Sequence, residues 1–246
     1  RSTLFPYTTL FRSVKLSVFK EKCLKLLRTY NHAWVFSYSI LYLIWYQYLE
    51  NTVTTNFNII HSHYDDVIPF VEYFIIPYLY WFVYLGAVTV FLFLKDKNEF
   101  YHFMFYICVG MSTCLLICQI YPNGTNLRPV LDFNRNWATK LVHFIYSIDT
   151  NTNVFPSIHV YNSIGAHIAI SKSKFFKGNI AVQIFSLISC LSICASTVFL
   201  KQHSMLDVFA AFILGVVMYF VVYGKVKVPD EFPQIAKKTR RKSTAV

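Results

Sequence analysis

The fold is decided by residues 204–223, which read SMLDVFAAFILGVVMYFVVY. This stretch holds one charged side chain, Asp207. As a helix it is long enough to cross the roughly 30 Å of hydrocarbon in a bilayer. Comparable apolar segments precede it at 33–49, 71–94, 100–120, 155–171 and 178–200. Backbone polar groups in lipid must be hydrogen-bonded within the segment. We therefore predict an all-α, polytopic membrane protein with six transmembrane helices in one bundle over residues 33–223.

The composition also indicates a membrane protein. Of the 246 residues, 55% are hydrophobic and 14% are charged, and the mean hydropathy is +0.42. A soluble domain has about 25% charged residues, which excludes the soluble classes. Six spans leave too little chain for a second folded domain.

Lysine and arginine set the expected orientation, because cytoplasmic loops are enriched in them. Seventeen fall in the N-terminal arm, in the connections at 95–97 and 172–177, and in the C-terminal tail. The opposite side carries Arg128, Arg135, Lys140 and Lys201. We therefore expect both termini in the cytoplasm, and the loops 50–70 and 121–154 on the outer face of the cell membrane.

The two ends of the chain are set apart from the bundle. The first thirteen residues, RSTLFPYTTLFRS, resemble the in-frame translation of a sequencing-library adapter, and we expect 1–13 not to belong to the fold. Residues 14–32 are predicted to form a cytoplasmic amphipathic arm. The basic tail 224–246 follows the last span directly. Attraction to anionic lipid headgroups, about 1 kcal/mol per basic residue, explains such a tail without a nucleic-acid partner.

The last segment begins with a histidine and an aspartate at helical spacing. His203 lies four residues before Asp207, and such residues are neighbours on one helix face. Ionisable groups in membrane segments are costly and mark functional sites. The predicted topology places His159 and Arg128 at the same interface. We expect Asp207 to hold one ring nitrogen of His203, which leaves the other as a nucleophile or base.

Further residues near this interface suit a phosphate group. Pro156 and Ser157 favour a helix start, whose free N–H groups can bind an anion. Arg128 offers a bidentate fork for phosphate oxygens. An anion site, an arginine, an oriented histidine and a second histidine are together typical of phosphoryl transfer through a phosphohistidine.

Three fragments carry a resemblance to a known family: YPNGTNLRP at 121–129, PSIH at 156–159 and STVFLKQHSMLD at 196–207. In order, spacing and six-span layout, the chain resembles the type-2 phosphatidic acid phosphatase (vanadium haloperoxidase-like) superfamily. The resemblance implies that His203 is the nucleophile, that Asp207 orients it, and that His159 is the general acid. Arg128 and the region of Ser157 would bind the substrate phosphate, with no metal or cofactor.

Three positions depart from the family pattern of Lys-x6-Arg-Pro, Pro-Ser-Gly-His and Ser-Arg-x5-His-x3-Asp. Tyr121 replaces the lysine, Ile158 the glycine and Thr197 the second arginine. Tyr121 and Thr197 are kept as candidate phosphate-binding residues, together with the nearby Lys201, which would restore one charge. Fewer cations favour a singly charged phosphodiester over a phosphomonoester, which carries nearly two negative charges at neutral pH.

Similar substitutions resemble the inositol phosphorylceramide synthase-like, or inositolphosphotransferase, branch. That branch moves a phosphoryl headgroup from a glycerophospholipid to another hydroxyl. We therefore expect a membrane phosphatase or phosphotransferase that acts on a phospholipid at the outer face, with a lipid hydroxyl as the second partner. A phosphatase of phosphatidic acid or isoprenyl phosphate monoesters is the alternative.

Two hypotheses of other classes are weaker. A six-span transporter requires polar groups that continue through the membrane, and the inner halves of the last three spans are nearly apolar apart from His167. An intramembrane serine protease requires a partnered general base, whereas Ser157 is expected at a helix cap. Both are disfavoured.

Other polar residues on the outer side have weaker interpretations. The loop HSHYDD at 61–66 has a metal-like composition, yet a polar lip over the site is preferred. Glu72 is a lesser candidate for contact with the headgroup. Asn123-Gly124-Thr125 fits a glycosylation sequon, but Pro-Asn-Gly is first a turn signal. No cysteine lies in a predicted outer loop, so we expect no disulfide.

Overall fold

The computed structural model describes residues 20–22, 24–25, 27–132 and 134–224. They form two compact units, one that ends at Leu43 and one that begins at Ile44. The first unit contains a helical, exposed arm and a 3-10 turn over Asn31–Phe36. The predictions about residues 1–13, about Cys23 and about the tail from 225 onward lie outside the described residues.

Helices dominate the described chain. Helix α1, Ser37–Thr52, begins in the first unit and ends in the second. The remaining elements are β1 (Asn58–Ile59), α2 (His63–Val67), a 3-10 turn (Glu72–Phe74), α3 (Ile75–Lys95), α4 (Lys97–Ile120), β2 (Asn123–Gly124), α5 (Trp137–Ile148), α6 (Ile158–Lys172), α7 (Ile180–Phe199) and α8 (Met205–Tyr223). The two short strands pair in parallel, with Asn58 opposite Asn123.

Four helical segments are long and apolar enough to cross a membrane. They are Glu72–Lys95, Lys97–Ile120, Ile180–Phe199 and Met205–Tyr223. Large apolar side chains such as Phe82, Phe185 and Phe212 are exposed on these helices, as expected for surfaces that face lipid. A mostly helical membrane protein is therefore confirmed.

The other two predicted spans are present as shorter helices. The segment 33–49 becomes part of the 3-10 turn and α1, and the segment 155–171 becomes α6. At 1.5 Å per residue, the 16 residues of α1 and the 15 residues of α6 rise only about 24 and 22 Å. Both fall short of a full hydrocarbon thickness. The six-span count is thus not established, and four helices are long and apolar enough to be candidate spans.

Helix α6 lies at the centre of the second unit. It packs against all four of the long apolar helices, α3, α4, α7 and α8. Half of its buried positions are occupied by small residues: Ser163, Gly165, Ala166 and Ala169. Small side chains let neighbouring backbones approach closely. A helix with this composition is stabilised by surrounding helices rather than by contact with lipid.

The helices α3, α4, α6, α7 and α8 run alternately between two ends of this unit. At one end, here called the lysine end, Lys174 forms an ion pair with Asp96, and its backbone N–H donates to Oε1 of Glu99 at 3.0 Å. The other end, here called the histidine end, carries His203 at the start of α8. It also holds β1, β2, α2, α5 and the connections 149–157 and 200–204.

Helix α5 lies across the histidine end. Asn136 caps its first turn by accepting a hydrogen bond from the backbone N–H of Thr139 at 2.9 Å. The buried residues of the helix recur at intervals of three and four, and they pack with Ile75 and Leu200: Ala138, Val142 and Ile145. The apolar face therefore fixes where the last turn of α5, which bears Tyr146, meets the site.

Two tyrosines connect three helices in the core. The rings of Tyr106 on α4 and Tyr161 on α6 stack with centroids 4.8 Å apart. The hydroxyl of Tyr161 donates to the carbonyl of Tyr106 at 2.7 Å, and the hydroxyl of Tyr106 donates to the carbonyl of Gly215 on α8 at 3.1 Å. Glycine makes this possible, because a Cβ at Gly110 would lie 1.9 Å from the Tyr161 ring.

Gly110→Ala should therefore destabilise the protein. The added methyl group displaces a ring that is held by stacking and by a hydrogen bond, and such overpacking costs about 1–3 kcal/mol. Thermal unfolding in detergent measures the effect. Gly86→Ala on α3 is the matched control, because a Cβ there meets nothing within 4 Å. Equal melting temperatures for the two variants would contradict the proposed role of the tyrosine pair.

Candidate active site

The turn between α7 and α8 places His203. This turn is tight, with Lys201 in the left-handed region at φ 55°. The carbonyl of Thr197, in the last turn of α7, accepts hydrogen bonds from the backbone N–H groups of Gln202 and His203 at 3.0 and 3.1 Å. His203 is thereby fixed immediately before α8, where its side chain reaches Asp207.

The predicted His203–Asp207 pair is formed. Nδ1 of His203 lies 3.1 Å from Oδ2 of Asp207, and the same oxygen accepts from the backbone N–H of Ser204 at 2.9 Å. Ser204 caps α8, and Asp207 completes the capping box. Asp207 is fully buried. An ionised carboxylate in this position keeps a proton on Nδ1, so the lone pair of the neutral ring is on Nε2.

His159 faces His203 across the site. The centroids of the two imidazole rings are 5.9 Å apart. The ring of His159 also stacks on Tyr78 at 4.6 Å and lies 4.5 Å from Trp81, both on α3. Ser157 caps α6, and its N–H donates to the backbone carbonyl of Asp207 at 3.3 Å. The starts of α6 and α8 are therefore bonded to each other, and this brings the two histidines together.

Arg128 reaches the same site but is used differently from the prediction. Its Nη1 donates to the carbonyls of Tyr146 and Asp149, at 3.3 and 2.9 Å. Its Nη2 donates to the carbonyl of Thr150 at 2.7 Å and to Oε1 of Gln202 at 2.5 Å. The predicted phosphate fork is thus occupied by four protein oxygens. Arg128 instead ties the end of α5 to the residue beside His203.

The environment of Arg128 is partly apolar. The guanidinium lies over the Tyr146 ring, 4.5 Å from its centroid, and Tyr146 donates through its hydroxyl to the carbonyl of Leu200 at 2.5 Å. Burial lowers the pKa of Arg128, and the Asp149 carboxylate opposes that effect. Since the ordinary pKa of arginine is about 12.5 or higher, the side chain keeps its charge. It supplies positive charge next to His203.

Of the three tentative phosphate-binding residues, two donate to backbone carbonyls and the third is exposed. Nζ of Lys201 donates to the carbonyls of Asp65 and Ile68, at 2.6 and 2.5 Å. The hydroxyl of Thr197 donates to the carbonyl of Cys194 at 2.8 Å. Tyr121 is 45% exposed, and within the described ranges only its backbone groups form hydrogen bonds. The structure does not bring these three side chains to the histidines.

Asp65 is a site residue that the sequence did not single out. It lies in α2, within the loop interpreted as a polar lip, and it is only 2% exposed. Its Oδ2 accepts from the hydroxyl of Ser204 at 2.5 Å, and its Oδ1 accepts from the N–H of Met205 at 2.8 Å. A carboxylate at a helix N-terminus is stabilising. The sequence did hold a signal, because Ser62 and Asp65 form a capping box.

The contact between α2 and α8 is reciprocal. Asp65 accepts from the hydroxyl of Ser204 and from the N–H of Met205, while Lys201 donates to carbonyls at the end of α2. His61 and Asp66 form a separate, exposed pair at 2.9 Å. The loop 61–66 therefore does not only border the site. It fixes the first turn of α8, which carries the catalytic candidates.

Two other polar candidates have structural roles. Glu72 accepts from Nδ2 of Asn136 at 2.9 Å and pairs with Nε of Arg135 at 3.4 Å. Asn123 is fully buried, and its Oδ1 accepts from the N–H groups of Val154 and Phe155. The sequon at Asn123 is thus inaccessible. Asn123 and Gly124, which were expected to form a turn, form the short strand β2 and pair with β1.

A polar cavity adjoins this region. It has a volume of about 500 Å³ and is lined by Ile59, His61, Asp65, Asp66, Asn126, Leu127 and Lys201. Because Lys201 and Asp65 also contact the turn before α8, the cavity lies beside the histidine site.

No match to this chain was found among protein-family models, curated proteins or solved structures. The chemistry of the site therefore rests on its geometry. Three separate parts of the sequence meet at one end of the helical bundle, and they contribute Arg128, the pair Ser157 and His159, and the pair His203 and Asp207.

Asp65→Ala should weaken the start of α8. The change removes the hydrogen bonds that the carboxylate accepts from the Ser204 hydroxyl and the Met205 N–H, together with the one from the N–H of Ser62. Each bond to a carboxylate contributes about 1.5–3 kcal/mol. We expect a melting temperature several degrees lower and faster amide hydrogen exchange at Met205. The control is Asp66→Ala, which removes an exposed pair that contributes no more than about 1 kcal/mol. If both variants exchange at the wild-type rate, Asp65 does not anchor α8.

Proposed function

We propose that this protein is an integral membrane enzyme that transfers or hydrolyses the phosphoryl group of phospholipids through a phosphohistidine. One observation carries the proposal: the Asp207-bonded ring of His203 faces a second histidine, His159, at the end of a helical membrane bundle. A neutral imidazole with one nitrogen fixed by a carboxylate is a suitable nucleophile. A second imidazole within reach supplies the proton transfer that an alcohol leaving group requires.

In the first step, Nε2 of His203 attacks phosphorus. A nitrogen–phosphorus bond forms, the bond to the departing alcohol oxygen breaks, and protonated His159 gives its proton to that oxygen. Asp207 stabilises the positive charge that develops on the His203 ring. The negative charge of a bound phosphate favours the charged form of His159. Protonation of His159 is therefore coupled to substrate binding.

In the second step, neutral His159 acts as a base. It takes the proton of a water molecule or of a lipid hydroxyl, and the resulting oxygen attacks the phosphorus of phosphohistidine. The nitrogen–phosphorus bond breaks, and His203 regains its neutral form. Water as the acceptor gives hydrolysis, and an alcohol gives headgroup transfer. Both reactions use the same residues.

The charges around the site favour a singly charged phosphodiester. Arg128 contacts Gln202, the residue before His203, and Lys201 is bonded to backbone carbonyls. Three carboxylates, those of Asp65, Asp149 and Asp207, lie close to the same groups. A phosphomonoester carries about 1.5–2 negative charges at pH 7 and would be opposed by this balance. Phosphodiester headgroup transfer is therefore preferred over monoester hydrolysis.

The distribution of charge also supports a site on the outer face. Lys95, Lys97, Lys172 and Lys174 all belong to the lysine end, opposite to His203. Cytoplasmic connections are enriched in such residues. We infer that the lysine end faces the cytoplasm and that the histidine end faces outward, within a six-span layout in which α1 and α6 complete the bundle.

A transporter is less well supported. The inner halves of the helices are more polar than the sequence indicated, because Ser186 on α7 contacts both His167 and Tyr84, at 3.0 and 2.7 Å. These side chains, however, bond to each other across α3, α6 and α7. They form a packed contact between helices rather than a row of groups along a path.

His203→Ala and Asp207→Asn should each lower turnover on the true substrate by several orders of magnitude. The first removes the nucleophile, and the second weakens the hydrogen bond that orients it. Turnover of purified protein in detergent measures this, and an alkaline denaturing quench with radiolabelled substrate tests for an acid-labile, base-stable phosphoprotein.

His102→Ala provides the matched control, since His102 lies at the lysine end, where its Nδ1 contacts the carbonyl of Asn98. It should retain turnover near the wild-type level. The mechanism is wrong if His203→Ala retains wild-type turnover while the protein remains folded.

The choice of substrate has its own test. We expect phosphatidylinositol or phosphatidylglycerol to lose its headgroup in the presence of diacylglycerol or ceramide, with the products identified by mass spectrometry. Phosphatidic acid should be a poor substrate by comparison. Preferential release of inorganic phosphate from phosphatidic acid would instead identify a monoester phosphatase with the same histidines.

A further inference from the structure

Several buried polar atoms around the histidines have no hydrogen-bond partner among the described residues. They are Nε1 of Trp81, Nε of Arg128, both amide atoms of Asn162, Nε2 of Gln202 and Oδ1 of Asp207. A buried polar group without a partner costs about 1–3 kcal/mol, so such groups are rare in folded proteins. Their concentration near His159 and His203 indicates a place where a polar ligand completes the hydrogen bonding.

Gln202 is the residue of this group that lies next to the proposed nucleophile. It is 2% exposed, and it precedes His203 in the turn fixed by the carbonyl of Thr197. The orientation of its amide is determined by Arg128, because Nη2 of Arg128 is a donor and must face an acceptor. Oε1 therefore points to Arg128, and the two N–H bonds of Nε2 are directed elsewhere.

Arg128, like Gln202, has a buried N–H donor without an acceptor among the described residues. Its two terminal nitrogens are bonded to four protein oxygens, but Nε–H is buried and finds no acceptor within the described chain. Arg128 and Gln202 are in direct contact at 2.5 Å. One bonded pair thus presents unsatisfied N–H donors on two residues, immediately beside His203.

We propose that the amide of Gln202 is a phosphate-binding group that acts together with Nε–H of Arg128. The proposal rests on the proposed function, since it assigns the donors for the phosphate that His203 attacks. In this arrangement Arg128 plays two parts: its terminal nitrogens build the turn, and its remaining N–H contacts the ligand.

This assignment explains how the site can hold phosphate although Tyr121, Thr197 and Lys201 do not reach it. Gln202 supplies hydrogen-bond donors without adding charge. Arg128 supplies one positive charge, which is already close to the carboxylate of Asp149. A pocket with neutral donors and one cation matches a phosphodiester monoanion. A dianionic monoester would bring a second charge that no further cation offsets.

Gln202→Glu tests the assignment. The variant keeps an oxygen acceptor for Arg128, so the turn is retained, but it removes the amide donors and places a carboxylate beside the phosphate. Equilibrium binding of dihexanoyl phosphatidylglycerol to the purified full-length protein should weaken by about tenfold or more. Turnover should fall through a higher KM as well as a lower kcat.

Gln119→Glu is the matched control. Gln119 also uses Oε1 as an acceptor, from Nε1 of Trp45 at 2.8 Å, and it is exposed on α4, whereas Gln202 is buried. It should bind phosphatidylglycerol within about twofold of the wild type. Melting temperature and elution profile show whether each variant is folded. If Gln202→Glu does not fold, Gln202→Met, which has similar length and no N–H, takes its place with the same expected loss.

A second variant tests the charge match. Gln202→Lys removes the acceptor for Nη2 of Arg128 but keeps a donor and adds a cation. In protein that is shown to be folded by its melting temperature, it should raise the affinity for dihexanoyl phosphatidic acid relative to phosphatidylglycerol. An unchanged ratio of affinities would show that residue 202 does not face the phosphate.

The outcomes separate this inference from the proposed function. Wild-type protein that binds and turns over phosphatidylglycerol, together with Gln202→Glu that binds it equally well, overturns the role of Gln202 and leaves the enzyme intact. Wild-type protein that binds neither phospholipid overturns both. Weakened binding in Gln202→Glu with a normal Gln119→Glu control supports the assignment.

Discussion

The structure depends on the burial of α6 by four longer helices. With about 22 Å of length and with small and polar residues on its buried face, α6 cannot by itself present a continuous apolar surface to a bilayer. It is stabilised because α3, α4, α7 and α8 surround it. This placement puts its first turn, with Ser157 and His159, inside the bundle. The start of α8 is bonded to the same turn, so the position of both histidines follows from that one constraint.

The sequence predicts the features that depend on local spacing. Long apolar runs identify the four membrane helices, and an interval of four residues predicts the contact between His203 and Asp207. Ser157 is found as a helix cap, as its position after Pro156 indicates. Each of these properties is encoded within one or two helical turns, where the periodicity of the chain is sufficient.

Other features depend on partners that are distant in sequence. Asp65 and Ser204 are 139 positions apart, and Arg128 and Gln202 are 74 apart. No local pattern specifies that Arg128 donates hydrogen bonds to backbone carbonyls, or that Asp65 caps a helix near the end of the chain. The bounds of α1 and α6 also differ from the predicted 33–49 and 155–171, because the apolar runs include residues that form a turn or precede a helix. Hydropathy reports composition, whereas helix ends are set by caps and tertiary contacts.

The stacking of His159 on α3 fixes the depth of the site. Tyr78 and Trp81 lie three and six residues after the start of α3 at Ile75, which corresponds to about 4.5 and 9 Å along the helix axis. The ring of His159 is therefore level with the first turns of a membrane-crossing helix. A lipid phosphate can approach at this level while its acyl chains stay among those of its neighbours. Withdrawal of a lipid into water costs about 0.8 kcal/mol for each CH₂ group, and a recessed site avoids that cost.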